Sequence, residues 1–261
     1  MIRTPLYNQG LVYHKVSDEF EWGLTTVSPS AFRRQIVDLR QRGFSFKRVH
    51  ELIPTQKEHR EIAITFDDGY ENVYKEAYPI LNELKVPGTV FIITDFVGRA
   101  NDWDWQIGGR TFRHLTWSEI HELQSTGWEI GSHTVSHRIL TNISSADVTR
   151  ELELSKEILE QKLGTGIKTI CPPFNRFNQH ILELAREAGY EKCAVSFPLE
   201  APPRGYEDFI VPRLGVYHHE WRSVVRGKLV VNVWTPLVIL QQQIINLAAH
   251  GTEIRKRLAD Q

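Results

Sequence analysis

Cysteine is scarce in this chain: Cys171 and Cys193 are the only two among 261 residues. Two thiols make no disulfide framework, so the fold has to rest on a packed core, and free thiols suit a reducing compartment. A long apolar run is missing as well. The longest, residues 229–240, is broken by Asn232, Thr235 and Pro236 and is too short to span a bilayer, which takes about 20 apolar residues. The opening residues, MIRTPLYNQG, lack the apolar core of a secretory leader. These absences predict a cytoplasmic protein with no stable membrane insertion. Net charge is nearly absent too, at −1, so nothing pulls the chain toward nucleic acid or an anionic surface, and no nucleic-acid partner is expected. Repeats, low-complexity tracts and linkers are also missing. With a length close to the ~250 residues of a (β/α) barrel, a single domain over residues 1–261 is the expectation.

What the sequence does have is alternation. Residues 10–14 read as a short strand. Ser28 then caps a helix with Pro29 in its first turn; Phe32, Ile36 and Leu39 repeat at helical spacing, and Gly43 ends it. Strand patterns follow at residues 61–66, 88–93, 128–131, 167–171, 192–196 and 209–214. Between them lie helical patterns at residues 72–85, perturbed by Pro79, from Trp117 to a stop at Gly127, at 145–163 with Leu152, Leu159 and Leu163 on one face, and at 178–188. Strand–helix alternation over this length predicts an α/β fold with a mainly parallel sheet, barrel or open. Residues 98–115 are irregular and read as a loop over a site; Trp103 and Trp105 there offer aromatic faces for stacking, or form the core of the loop itself. A last apolar helix at 236–258 is expected to pack on the barrel, with a homo-oligomer contact as the alternative.

In parallel α/β folds the chemistry sits where strands end. Asp67 and Asp68 close the stretch Thr65-Phe66-Asp67-Asp68-Gly69 at one such end. Two adjacent carboxylates are costly unless positive charge lies beside them, and a metal ion supplies it. Alone, Asp-Asp-Gly is an ordinary turn. A second cluster changes the balance: His133 and His137 stand four apart immediately after the strand at 128–131. Alone, such a pair is common on a solvated helix face. Two histidines and one carboxylate, with positions open for water, suit Zn²⁺ or a similar divalent ion, with Co, Ni and Mn as alternatives.

These motifs resemble those of the polysaccharide deacetylase family, the NodB-homology domain of carbohydrate esterase family four. Residues 65–69 resemble its first motif, residues 133–137 its second, and Cys171-Pro172-Pro173-Phe174-Asn175 a degenerate form of its third. Tyr13-His14 resembles the branch whose domain begins with a Tyr-His strand, and the resemblance covers residues 10–215. It implies a distorted, incomplete (β/α) barrel of about seven strands. It also implies a metal-dependent hydrolase that removes N-acetyl or O-acetyl groups from a carbohydrate or amino-sugar precursor. By the same resemblance Asp67 is the general base, Asp68, His133 and His137 hold one metal ion, and the backbone N–H near Phe174 helps hold the oxyanion.

The chain departs from the family pattern in three ways. Cys171 stands where the family has an arginine that orients the base, and Arg176 or Arg213 are the candidates to replace it in space. Asn175 stands in place of glycine, and asparagine tolerates positive φ. No leucine-x-x-histidine motif supplies the general acid near the C-terminus. The remaining candidates are His14, favoured by its Tyr-His context, and the pair His218 and His219, which also reads as a surface pair. The departures leave two other readings open: a metal- and carbohydrate-binding relative without turnover, and a hydrolase of another small amide.

Overall fold

The computed structural model describes residues 10–19, 25–53, 60–100, 111–196 and 203–217. Trp103, Trp105, His218, His219 and the helix expected at 236–258 lie outside the described residues. In chain order the elements are β1 (Gly10–Tyr13), β2 (Lys15–Val16), β3 (Thr26–Val27), α1 (Pro29–Gln41), β4 (Ser45–Phe46), β5 (Glu61–Phe66), α2 (Tyr78–Glu83), β6 (Gly88–Ile92), α3 (Trp117–Ser125), β7 (Glu129–Ser132), α4 (Ser145–Leu163), β8 (Thr169–Ile170), α5 (Gln179–Glu187), β9 (Lys192–Ser196) and β10 (Ile210–Gly215).

Seven parallel strands close on themselves in the order β1, β5, β6, β7, β8, β9, β10 and back to β1. The expected barrel is therefore what the chain forms, one strand short of eight. Closure falls on β1, which pairs with β10 through Gly10↔Arg213 and with β5 through Tyr13↔Phe66. The edge of β5 is shared: β4 takes Glu61 and Ile62, and β1 takes Ala63 to Phe66.

Local chemistry starts each long helix. The side chains of Ser28, Thr116, Ser144 and Asn178 accept hydrogen bonds from the backbone amides of Ala31, Glu119, Asp147 and Ile181, opening α1, α3, α4 and α5. Each such cap stabilises its helix by typically ~1 kcal/mol. The helix expected at 72–85 divides at Pro79. A π-helical turn, Val73–Ala77, ends with the Tyr78 amide bonded to the Val73 carbonyl, and α2 begins after it. Proline has no N–H and its ring crowds the carbonyl four residues back, so the backbone widens there.

Period-two alternation sorts the strand residues. Ile62, Ile64 and Phe66 of β5 join Leu152, Leu159 and Leu163 of α4 in the large core between barrel and helices. Ala63 shares a smaller interior cluster with Phe91, Cys171, Ala194 and Val211, covered by Val49 and Leu52. Room inside is short. A Cβ at Gly131 would lie 2.6 Å from the Phe91 ring, and one at Gly10 would lie 2.6 Å from Cγ of Arg213. Near the amino ends of the strands, the buried carboxylate of Glu129 accepts from the Thr89 hydroxyl at 2.9 Å and the His50 amide at 3.3 Å. Part of the irregular region is ordered by two isolated antiparallel bridges, Tyr70↔His114 and Ala100↔Arg113. Among the described residues, no helix is long and apolar enough to cross a membrane.

Candidate active site

The carboxyl ends of the barrel strands gather the candidate residues. Phe66 ends β5 and is followed by Asp67 and Asp68; Ser132 ends β7 and is followed by His133; Tyr13 ends β1 and is followed by His14. The Asp67 amide donates to the Tyr13 carbonyl at 3.0 Å, which continues the β1–β5 ladder one step and sets His14 and Asp67 in adjacent rows.

Asp68, His133 and His137 converge. Oδ1 of Asp68 lies 3.3 Å from Nε2 of His133 and 3.4 Å from Nε2 of His137, and all three residues are buried. Three donor atoms within 4.8 Å of one another, two imidazole and one carboxylate, fit a divalent ion with positions left for water. The orientation is prepared as well. Nδ1 of His133 is 2.6 Å from the Cys171 carbonyl oxygen, which can only accept, so Nδ1 carries the proton and Nε2 offers its lone pair to the centre. His114 does the same for the carboxylate residue: its Nδ1 donates to the Asp68 carbonyl at 2.9 Å while its ring stacks on Tyr70 at 4.9 Å. His114 gave no signal in the sequence, because its partner is a backbone carbonyl.

The electrostatics are those of a site prepared for positive charge. Burial pushes the Asp68 carboxyl up, but hydrogen bonds from His133 and His137 and the charges of His137 and His14 more than reverse this, holding it well below the usual range. Burial pushes His133 down, and the negative side chains around it raise it well above the ordinary imidazole value instead. A proton on His133 balances charge here that a cation would balance.

The backbone is strained at the same place. Asp68 (φ 69°), Thr134 (φ 68°) and His137 (φ 58°) all adopt the left-handed conformation. Aspartate tolerates it, whereas a β-branched threonine does so rarely, and such residues cost on the order of 1–3 kcal/mol each.

Asp67 has a different neighbour. Arg213 of β10 meets it with two parallel hydrogen bonds, Nη1 to Oδ1 at 2.8 Å and Nη2 to Oδ2 at 3.2 Å. Nη1 also reaches the Thr65 hydroxyl at 2.9 Å, Nη2 lies 2.9 Å from the Cys171 sulfur, and the guanidinium sits over the Phe91 ring. Of the two arginines considered for the place vacated by Cys171, Arg213 is the one at Asp67. Burial raises the Asp67 carboxyl, but the charges of Arg213, His133 and His14 outweigh it, and the net direction is down. Asp67, His133 and Cys171 also bring donor atoms within 4.8 Å of one another. The positive charge beside Asp67 and Cys171 is already the guanidinium, so the Asp68 set is the better cation site.

The degenerate third motif keeps its turn. Phe174 (φ 55°) and Asn175 (φ 56°) are both left-handed. The Asn175 side chain pairs twice with Ser196, Nδ2 to the carbonyl at 3.2 Å and the Ser196 amide to Oδ1 at 2.8 Å, in the manner of a backbone ladder. The Phe174 ring lies 4.6 Å from the His137 ring. His14 is half-buried, and its positive charge is among the influences that lower both Asp67 and Asp68.

Comparisons with known proteins place the chain among polysaccharide deacetylases. The family model for polysaccharide deacetylases matches residues 55–193. A poly-β-1,6-N-acetyl-D-glucosamine N-deacetylase of Staphylococcus aureus is 30% identical over 214 residues, covering 77% of this chain and 71% of the relative. Among solved structures, the Streptococcus pyogenes deacetylase PplD superposes with a TM-score of 0.70 at 22% identity, covering 84% of this chain and 96% of that one. IcaB of Ammonifex degensii superposes with a TM-score of 0.69 at 23% identity, covering 87% and 98%. At these identities the two structures speak for a shared fold.

Proposed function

This chain belongs to the polysaccharide deacetylase family, and from that premise we propose that it is a metal-dependent hydrolase removing N-acetyl groups from a glycan built of N-acetylglucosamine. The observation that carries the reading is the convergence of Asp68, His133 and His137 beside an Asp67 held by Arg213. The glycan is suggested by the substrate named for the Staphylococcus aureus relative.

Asp68, His133 and His137 would hold the ion. When bound, such an ion, Zn²⁺ being the best match to two imidazoles and a carboxylate, polarises a carbonyl and makes water a better acid. The rest falls to the chain. Asp67 is ionised throughout the neutral range, because Arg213 holds its carboxyl down. It accepts the proton of the attacking water as the new C–O bond forms at the acetyl carbon. The bidentate contact fixes the plane of the carboxylate; Oδ2 also accepts from the Cys171 thiol at 3.5 Å, so Oδ1 is the oxygen with a further lone pair for that proton. The left-handed turn at Phe174 offers a backbone N–H to the developing oxyanion. His14, in the row beside Asp67, gives a proton to the sugar nitrogen as the C–N bond breaks, so acetate and a free amine leave.

The reading without turnover rested on the altered third motif and on the missing general acid. Arg213 answers the first by bringing a guanidinium to Asp67 from another strand, and His14 is the donor proposed for the second. Acetate release tests the proposal directly. The panel holds β-1,6- and β-1,4-linked N-acetylglucosamine oligomers, a nucleotide-linked N-acetyl sugar, an O-acetylated sugar and a simple acetamide. Each is assayed with chelator and after return of Zn, Co, Ni or Mn. Release from an N-acetylglucosamine oligomer that is lost with chelator and restored by metal is expected. Turnover indifferent to chelator, or confined to the simple acetamide, would sink the proposal.

A further inference from the structure

The loop joining the two histidine ligands is strained at Thr134 and His137, and something must hold it in that shape. Three backbone contacts contribute: the Thr134 amide donates to the Ser132 hydroxyl at 3.1 Å, and the amides of Thr94 and Asp95 donate to the carbonyls of Thr134 and Val135 at 3.2 and 3.0 Å. The densest set comes from one side chain on α4. Oε2 of Glu151 accepts the Val135 amide at 2.8 Å and the Ser136 amide at 3.0 Å, and Oε1 accepts the Ser136 hydroxyl. Glu151 is 7% exposed. It is not one of the candidate ligands, and nothing in the mechanism uses it. A buried carboxylate is expensive unless its oxygens are satisfied, and here the donors that satisfy it lie on Val135 and Ser136, two of the three residues between the histidines.

We propose that Glu151 is a positioning residue of the metal centre, a clamp that holds the loop 134–137, left-handed at Thr134 and His137, so that His133 and His137 face one ion before it arrives. The inference rests on the metal-site reading above. The anchor for the clamp is firm. α4 buries Leu152 and Leu159, and its Ser155 hydroxyl pairs with the Ser132 hydroxyl at 2.7 Å, one residue before His133. The geometry asks, at this reach, for one oxygen that accepts both amides and a second polar atom that pairs with the Ser136 hydroxyl. Glutamine keeps the reach and one acceptor, with its amide able to donate to the Ser136 hydroxyl. Aspartate keeps the charge but withdraws it by one methylene, and alanine removes the clamp. Partners one step behind metal ligands change metal affinity by about 10–100-fold when lost.

The test measures Zn²⁺ affinity by chelator competition, and the visible spectrum of the Co²⁺-loaded protein, in the full chain. Glu151→Ala is expected to weaken Zn²⁺ binding about 10–100-fold and to alter the Co²⁺ spectrum, with Glu151→Asp between it and the native protein and Glu151→Gln close to native. If Glu151→Ala does not fold, Glu151→Asp carries the comparison. Thr134→Gly, which removes the penalty on the left-handed residue, should recover part of the affinity lost in Glu151→Ala. A loss that Thr134→Gly leaves untouched marks general support of the fold and overturns the clamp. So do alanine and aspartate variants that bind Zn²⁺ within twofold of native. Native protein that binds no metal overturns the metal-site reading and the clamp with it, whereas tight native binding with unaffected variants overturns the clamp alone.

Discussion

Replacing Arg213 with methionine keeps most of the side chain's length and removes its charge. In the native protein both partners are buried, Arg213 at 0% and Asp67 at 6% exposure, and the contact is bidentate. Removing one partner of such a pair leaves an uncompensated buried charge and costs about 3–5 kcal/mol, against ~1 kcal/mol or less for an exposed pair. Arg213→Met is therefore expected to lose about 3–5 kcal/mol at pH 7, measured by denaturant titration with chelator present so that no bound cation takes the place of the guanidinium. The pH dependence follows from the direction of the shift. Native Asp67 lies below its ordinary 3.8, so its stabilising contribution is present above that value and is lost as the pH falls through the lower native pKa. Without Arg213, burial dominates and the carboxyl moves up. The variant is then penalised near neutrality and relieved as the pH falls through the raised pKa. The gap between the two proteins should be widest near pH 7 and close toward acid. The acid limb of kcat/KM should move to higher pH in step with it. Arg213→Lys, which keeps the charge but not the fork, should fall between. A stability loss under ~1 kcal/mol at pH 7, with an unmoved acid limb, would refute the pairing argument.

Asp67→Asn keeps the volume, loses the proton acceptor, and should give a folded protein that still binds metal and releases almost no acetate; retained turnover would remove Asp67 from the role of base. His133→Ala deletes one of three ligands, and metal analysis should find the ion largely gone after dialysis; full occupancy would count against the site. Because protons compete with a cation for His133, which is held well above its ordinary value, Zn²⁺ affinity should weaken as the pH is lowered, and a flat profile would contradict this. His14→Gln should lower kcat and erase the alkaline limb of its pH profile. An unchanged profile would leave Asp67 to carry the proton in both directions.

The elements with a clean pattern were legible to the residue. β5, β9 and α4 fall where alternation or helical spacing puts them, at 61–66, 192–196 and 145–163. The strand expected at 167–171 shrinks to Thr169–Ile170, because strand pairing is a tertiary event that propensity does not register. The two-residue strands β2, β3 and β4 left no periodicity to read. The metal-site candidates were legible because they lie within five residues of the ends of β5 and β7, and strand ends can be located from the sequence. Arg213 was visible only as one of two spare arginines: its partner is 146 positions away, and only the closed barrel brings them together. The alternation that puts Arg213 and Ala63 inside the barrel can be assigned only once the inside exists.

That closure has a consequence in time. β1 leads to His14, β5 leads to Asp67 and β10 carries Arg213, and β1 is the strand that joins the other two. These are among the pairings of greatest sequence separation, and loop-closure entropy makes such contacts late to form. Until they do, Asp67 has neither its guanidinium nor its neighbour from β1, whereas His133, His137 and Glu151 lie within one stretch of local chain. A refolding protein should therefore acquire its metal loop before its base is set. Catalytic competence would then appear with the final shutting of the ring, as a late signal that β10 has found β1.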